Sequence, residues 1–296
     1  MRSRSFAFSF FSLILFAAAA VGLQASEPAA VSETAPAATA PASDVSAEIE
    51  DVSKRPLKVA IYSKSMKKKR LAAIIETDEL FECIPVSAAD IRNGILDKCD
   101  FVLLPGGSAR AQAKDMQPEG VEKLKKFVHE GNGYLGVCAG AYFPIHQGFL
   151  NGNTKSPKWA RGIEQLDLEL TEEGIAIFGE EYRGMQKVRY ANGPVFDVNI
   201  DPDMPQVDIL AWFRSEVALN GTPAGIQVNS PAMARTTYGK GMVITFSPHP
   251  EDSETLKYFF PKALRYMAGK LNKIPQTETN AETNAESQTE TAADAH

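Results

Sequence analysis

The sequence predicts an α/β domain of three layers: a mostly parallel central sheet covered by helices on both faces, with a β-rich excursion in its second half. Three observations carry this. Between residues 57 and 137, short apolar and β-branched runs alternate with amphipathic helical stretches, which is the pattern of a parallel sheet buried on both sides. The apolar run within 99–108 stops in a Pro-Gly-Gly turn, and that of 133–137 stops in a sharp turn at Cys138. From about 164 to 246 the chain changes to short strands joined by Gly, Pro and Asn turns.

The elements follow in order. "LKVAIY" (57–62) is a buried-strand candidate, followed by a helix with Leu71, Ile74 and Ile75 as its apolar stripe. "FECIPV" (81–86) reads as the second strand, and Ser87 is placed to cap a short helix over "AADIRNGIL". "CDFVLLPGGS" (99–108) is the third strand. Pro118 marks a helix start and Gly131 its end, with Val121, Leu124, Phe127 and Val128 on one face. "GYLGV" (133–137) is the fourth strand. In the second half "QLDLEL", "VDILAWF", "AGIQVN", "AMARTTY" and "GMVITF" read as strands, the last returning to the main sheet. "DSETLKYFFPKALRYMAGKL" closes the domain as a helix bent or restarted at Pro261.

Residues 57–272 are enough for one domain with a well-buried core, and both ends differ from it. Residues 1–25 place two arginines before an apolar run and then small residues, the order of an export signal peptide cut after Ala25. An uncleaved membrane anchor is the alternative, since the run approaches the ~20 residues a spanning helix needs. With cleavage, the expectation is a periplasmic or extracellular protein without stable membrane insertion. Residues 26–56, rich in Ala, Pro, Ser and acid, and residues 273–296, an acidic low-complexity tail, read as disordered. The net charge of −6 resides in these ends, and the remainder is nearly neutral. Its one basic block, "KSMKKKR" (64–70), reads as a solvated helix start, so no nucleic-acid partner is expected. No His/Cys/Asp cluster has metal-ligand spacing and no phosphate-loop pattern occurs, so neither a metal nor a cofactor is expected. Oligomeric state is not legible.

"GVCAGAY" (136–142) carries the chemistry. Ligands of a parallel α/β sheet bind at the carboxyl ends of its strands, where Cys138 lies. In a nucleophile elbow the crowded turn demands small neighbours, which Gly136, Ala139 and Gly140 provide. The following helix then directs its positive end at the sulfur, which reacts as thiolate. A cysteine that merely packs a strand end is the bland alternative. A base candidate lies downstream in "TFSPHPED": His249 and Glu251 are two residues apart in an expected extended segment and would point to one side. Pro248 and Pro250 stiffen the mount. A surface histidine is the alternative. Gly106 and Gly107 follow the third strand at the same sheet end, so an N–H there and that of Ala139 are placed to cradle an oxyanion, unless the pair is a plain turn.

Taken together, "LLPGGS", "GVCAGAYF", "RYANGPVF" and "SPHPE" resemble, in order and spacing, the class I glutamine amidotransferase-like superfamily, and within it the N-terminal domain of biotin–protein ligases, which also occurs alone. The resemblance covers 57–271. It implies a flavodoxin-like sheet and a Cys138–His249–Glu251 triad; biotin transfer is not implied, because a polar tail follows. Glutamine-hydrolysing members usually carry glutamine where this chain has Tyr142, which points the pocket to another substrate. Tyr142, with Asn192, Gly193 and Trp159, is a candidate pocket wall; ordinary turn and core work is the alternative for Asn192 and Gly193. His146 shares a helix face with Tyr142, but packing or solvent is the expected role. Cys83 and Cys99 flank strand one in a flavodoxin-like order and read as buried, unbridged residues. The resulting expectation is a thiol hydrolase acting on an amide or acyl bond of a small molecule through a thioester. A non-catalytic small-molecule-binding or regulatory domain that keeps the elbow is the alternative.

Overall fold

The computed structural model describes residues 55–62 and 68–274. The expected signal peptide, most of the linker and nearly all of the tail lie outside the described residues.

The first half of the chain lays down four parallel strands in the order predicted. β1 (Leu57–Tyr62) pairs on one side with β2 (Phe81–Val86) and on the other with β3 (Phe101–Leu104), which pairs with β4 (Gly133–Val137). Pro85 sits in β2, which is an edge strand, where a missing ladder donor is tolerated. β11 (Gly241–Phe246) returns to lie parallel to β4. The β-rich half then extends the same sheet: β10 (Pro231–Tyr238), β9 (Asp208–Phe213), β6 (Ile163–Leu170) and β7 (Met185–Ala191) follow in that spatial order, all antiparallel. A separate ribbon pairs β5 (Gly152–Thr154) with β8 (Phe196–Val198).

Every residue of β3, β4 and β11 is buried, as expected for strands covered on both faces. One face packs α1 (Lys68–Ile75), α5 (Glu172–Phe178) and α6 (Phe259–Lys270) through Leu71, Ile75, Phe178 and Leu264. The other packs α2 (Ala88–Arg92), α3 (Ala109–His129) and α4 (Ala139–His146) through Ile91, Leu124 and Phe143. Ser87 caps α2 in a reciprocal capping box with Asp90. No helix among the described residues is long and apolar enough to cross a membrane.

Several expectations need correction. α3 starts at Ala109, where the Ser108 hydroxyl accepts the Ala111 N–H, and Pro118 restarts it after a break at Gln117 (φ 60°). Proline disfavours helical backbone in the residue before it, so two helical pieces join there at a kink. "AGIQVN" is a run of bends rather than a strand, with Gln227 fully buried and Val228 exposed. Pro261 falls in the first turn of α6, where it costs no helical hydrogen bond, and so does not bend it. α5 and β7 were not anticipated.

Candidate active site

The elbow is built by close backbone approach. Cys138 takes φ 52° and ψ −100°, a strained conformation for a side-chain-bearing residue. Its N–H donates to the Phe246 carbonyl at 2.8 Å, fixing the turn to the end of β11. A β-carbon on Gly136 would lie 2.2 Å from the Gly140 carbonyl oxygen, and one on Gly140 would lie 1.9 Å from that of Leu104. Glycine is therefore required at both positions. Pro144 in α4 cannot donate to the Gly140 carbonyl; the buried Tyr134 hydroxyl donates to it instead, at 2.7 Å.

His249 reaches the elbow from the end of β11. Its N–H donates to the Arg189 carbonyl of β7 at 2.8 Å, so the edge strand of the β-rich half holds it. Its Nδ1 lies 2.7 Å from Glu251 Oε1, and the Cys138 side chain is near enough to act on the imidazole electrostatically. The segment is not extended as expected: Pro250–Asp252 forms a 3₁₀ turn. Proline opens that turn, and the turn brings the Glu251 carboxylate back under the imidazole. Both side chains are buried. Burial alone would depress the His249 pKa, but the Cys138 side chain, the hydrogen bond to Glu251 and the carboxylate's charge outweigh it and raise the value to about 9. Cys138 is 7% exposed, and its thiol donates to the Ala191 carbonyl at 3.4 Å.

Gly106 and Gly107 lie beside the pair. A β-carbon on Gly106 would be 2.9 Å from His249 Cε1 and 3.6 Å from Cys138 Cβ, so this glycine makes room for the imidazole. Gly107 takes φ 147° in open space. Ala139 is the first residue of α4, where an N–H has no acceptor within the helix. Cys138, Gly106, Gly107, Ala139 and His249 all line one cavity of about 790 Å³.

Tyr142 and Asn192 line it too. The Tyr142 hydroxyl donates to the Asn192 carbonyl at 3.3 Å, and burial raises its pKa strongly. Asn192 sits at φ 60°, and its Oδ1 accepts the Gly162 N–H at 2.7 Å. Gly193 is corrected: it packs behind the wall, where a β-carbon would meet the Ser247 carbonyl at 2.1 Å. His146, expected in packing or solvent, lines the cavity 5.6 Å from the Tyr142 ring. Burial and then the Arg110 charge lower its pKa. Trp159, 62% exposed, stands at the wall. Sequence reasoning missed Arg110 and Arg189; the Ser108 cap was the signal that could have extended α3 back to Arg110.

The other cysteines are free. Burial, then nearby carboxylates, push Cys83 up to about 12, and burial with Asp100 pushes Cys99 up to about 11. His249, Glu251 and Asp252 stand close enough to share a cation, but the first two are engaged with each other beside the sulfur.

Residues 63–156 match the family described as "Biotin-protein ligase, N terminal". A chain in a structure of PurLQS from Thermotoga maritima superposes with a TM-score of 0.51 at 20% identity, covering 72% of this chain and 99% of that one. A "putative gmp synthase" chain from Thermoplasma acidophilum gives 0.47 at 15% identity, covering 79% and 98%. A cytoplasmic protein, STM1381, from Salmonella typhimurium LT2 gives 0.49 at 12%, covering 71% and 99%. No curated protein matches the chain. The fold is a mixed α/β one with a large, mostly parallel central sheet, as in the similar chain of the PurLQS structure, and residues 63–156, which include the PGG turn and the cysteine elbow, match the biotin-protein ligase N-terminal family.

Proposed function

We propose that the protein is a cysteine-dependent hydrolase of an amide or acyl bond in a small molecule. The observation that carries this reading is the position of His249, which engages Cys138 on one side and Glu251, at 2.7 Å, on the other, at the wall of a ligand-sized cavity. For an amide, the Cys138 thiol passes its proton to His249 as the sulfur attacks the carbonyl carbon and a C–S bond forms. N–H groups at Gly106, Gly107 and Ala139 face the developing oxyanion. Protonated His249 gives its proton to the leaving amine as the C–N bond breaks, leaving a thioester. Water then attacks that thioester while His249 takes the water's proton. The C–S bond breaks, and a carboxylic acid leaves the regenerated sulfur. Glu251 holds the imidazole's orientation and balances its charge throughout.

The test is hydrolysis of an amide and thioester panel by the wild type and by Cys138→Ala. A loss of at least about 10³-fold in the variant is expected. Equal rates, or no turnover by either protein while ligands still bind in the cavity, would leave the elbow serving a binding domain.

A further inference from the structure

Among the described residues, the cavity wall carries cations and no carboxylate. Its ionisable lining is Arg110, Arg189, Cys138, Tyr142, His146 and His249. Two acids behind the wall are committed elsewhere: Glu251 is buried against His249, and Asp252 lies 3.3 Å from Arg189. That leaves Arg110 as the cation on this wall to which no ion pair is assigned among the described residues.

Arg110 also breaks a local rule. It occupies the first turn of α3, where the helix dipole disfavours positive charge, and that turn contains no acidic residue. A helix-stabilising surface would place Asp or Glu there. A residue that opposes its local setting without compensation marks a functional position. Arg110 and His146 line the same cavity, and burial and then the Arg110 charge lower that histidine's pKa. Tyr142 and Trp159 add ring surface to the same cavity.

We propose that the cavity selects anionic ligands: a small amide or acyl compound whose carboxylate pairs with Arg110 and whose apolar or planar part lies against Trp159 and Tyr142. This names the substrate class of the hydrolase reading and rests on it, but the binding claim can be tested without turnover. Guanidinium matches carboxylate geometry in two parallel hydrogen bonds, a match a lysine cannot reproduce in full.

The test uses the full chain carrying Cys138→Ala, so nothing is consumed, with Trp212→Phe to leave Trp159 as the sole tryptophan. Fluorescence titrations compare hippurate and N-acetylglutamate with their uncharged amides. The expected result is carboxylate binding at least about ten-fold tighter than amide binding, and weaker at high salt. In the Arg110→Gln background that preference falls to within about two-fold, while amide affinity stays the same; Arg110→Lys restores part of it. Amides binding as tightly as carboxylates, Arg110→Gln weakening both alike, or no carboxylate binding would overturn the proposal. Charge-selective binding with no hydrolysis by the Cys138-bearing protein would refute the hydrolase reading and leave this site standing.

Discussion

Replacing Glu251 with glutamine keeps the shape of the site and removes one charge, and the consequences follow from the geometry. The carboxylate is fully buried, with Oε1 2.7 Å from His249 Nδ1. The largest single influence on His249 is burial, which disfavours the imidazolium; the Cys138 sulfur and then Glu251 reverse it and raise the pKa from 6.5 to about 9. At about 1.4 kcal/mol per unit, that elevation corresponds to on the order of 3 kcal/mol of folding stability. A raised pKa stabilises the fold fully below the unfolded value of 6.5, and the contribution fades as pH rises through about 9. In Glu251→Gln the raising influence is cut, burial weighs more, and His249 falls back toward or below 6.5. The wild type should therefore exceed the variant in stability at about pH 6, and the gap should close by about pH 9.5. Urea denaturation at the two pH values measures the gap, and a proton NMR titration of the His249 ring follows the pKa directly. An unchanged His249 pKa in the variant, or a stability difference independent of pH, would refute this account of the pair.

Other substitutions test the close approaches. Gly106→Ala places a β-carbon 2.9 Å from His249 Cε1, in a side-chain ring rather than in backbone. Hydrolysis should drop about 10²-fold while the thermal midpoint moves by only a few degrees, because small displacement of a reacting group costs rate more than stability. Gly140→Ala and Gly193→Ala instead meet backbone carbonyls of Leu104 and Ser247 at 1.9 and 2.1 Å. Each should lower the urea midpoint by an amount equivalent to about 3 kcal/mol or more, with the dependence on denaturant unchanged.

The parallel half of the fold was legible because its central strands are fully buried and read as continuous apolar runs. What failed was local and has physical causes. The first part of α3 buries only Ala109, Gln112 and Met116 before the kink, too little apolar surface to show a stripe, so Pro118 looked like the start. α5 is a seven-residue helix capped by Thr171, with Gly174 pressed against the Leu210 carbonyl, and its short length hid it. β7 buries Val188 and Tyr190 and leaves Met185 and Lys187 exposed, as an edge strand permits, so it shows no continuous apolar run. In "AGIQVN" the apparent apolar alternation inverted: the Gln227 side chain is the buried one, because it accepts from the Val217 N–H at 3.1 Å and from the Arg161 guanidinium at 3.4 Å.

The site divides in the same way. Its glycines and cysteine were readable because steric demand at a tight turn is written in consecutive residues. The His249–Glu251 pair was found through an extended-segment argument that the backbone does not follow; the spacing succeeded because one 3₁₀ turn brings the carboxylate beside Nδ1. The wall was only partly readable, since Arg110, His146, Trp159 and Arg189 meet only after the sheet is assembled. β7 then ties the β-rich half to the site. Its Arg189 carbonyl holds the His249 backbone, and its Ala191 carbonyl accepts from the Cys138 thiol. One edge strand thereby holds both the His249 backbone and the Cys138 side chain.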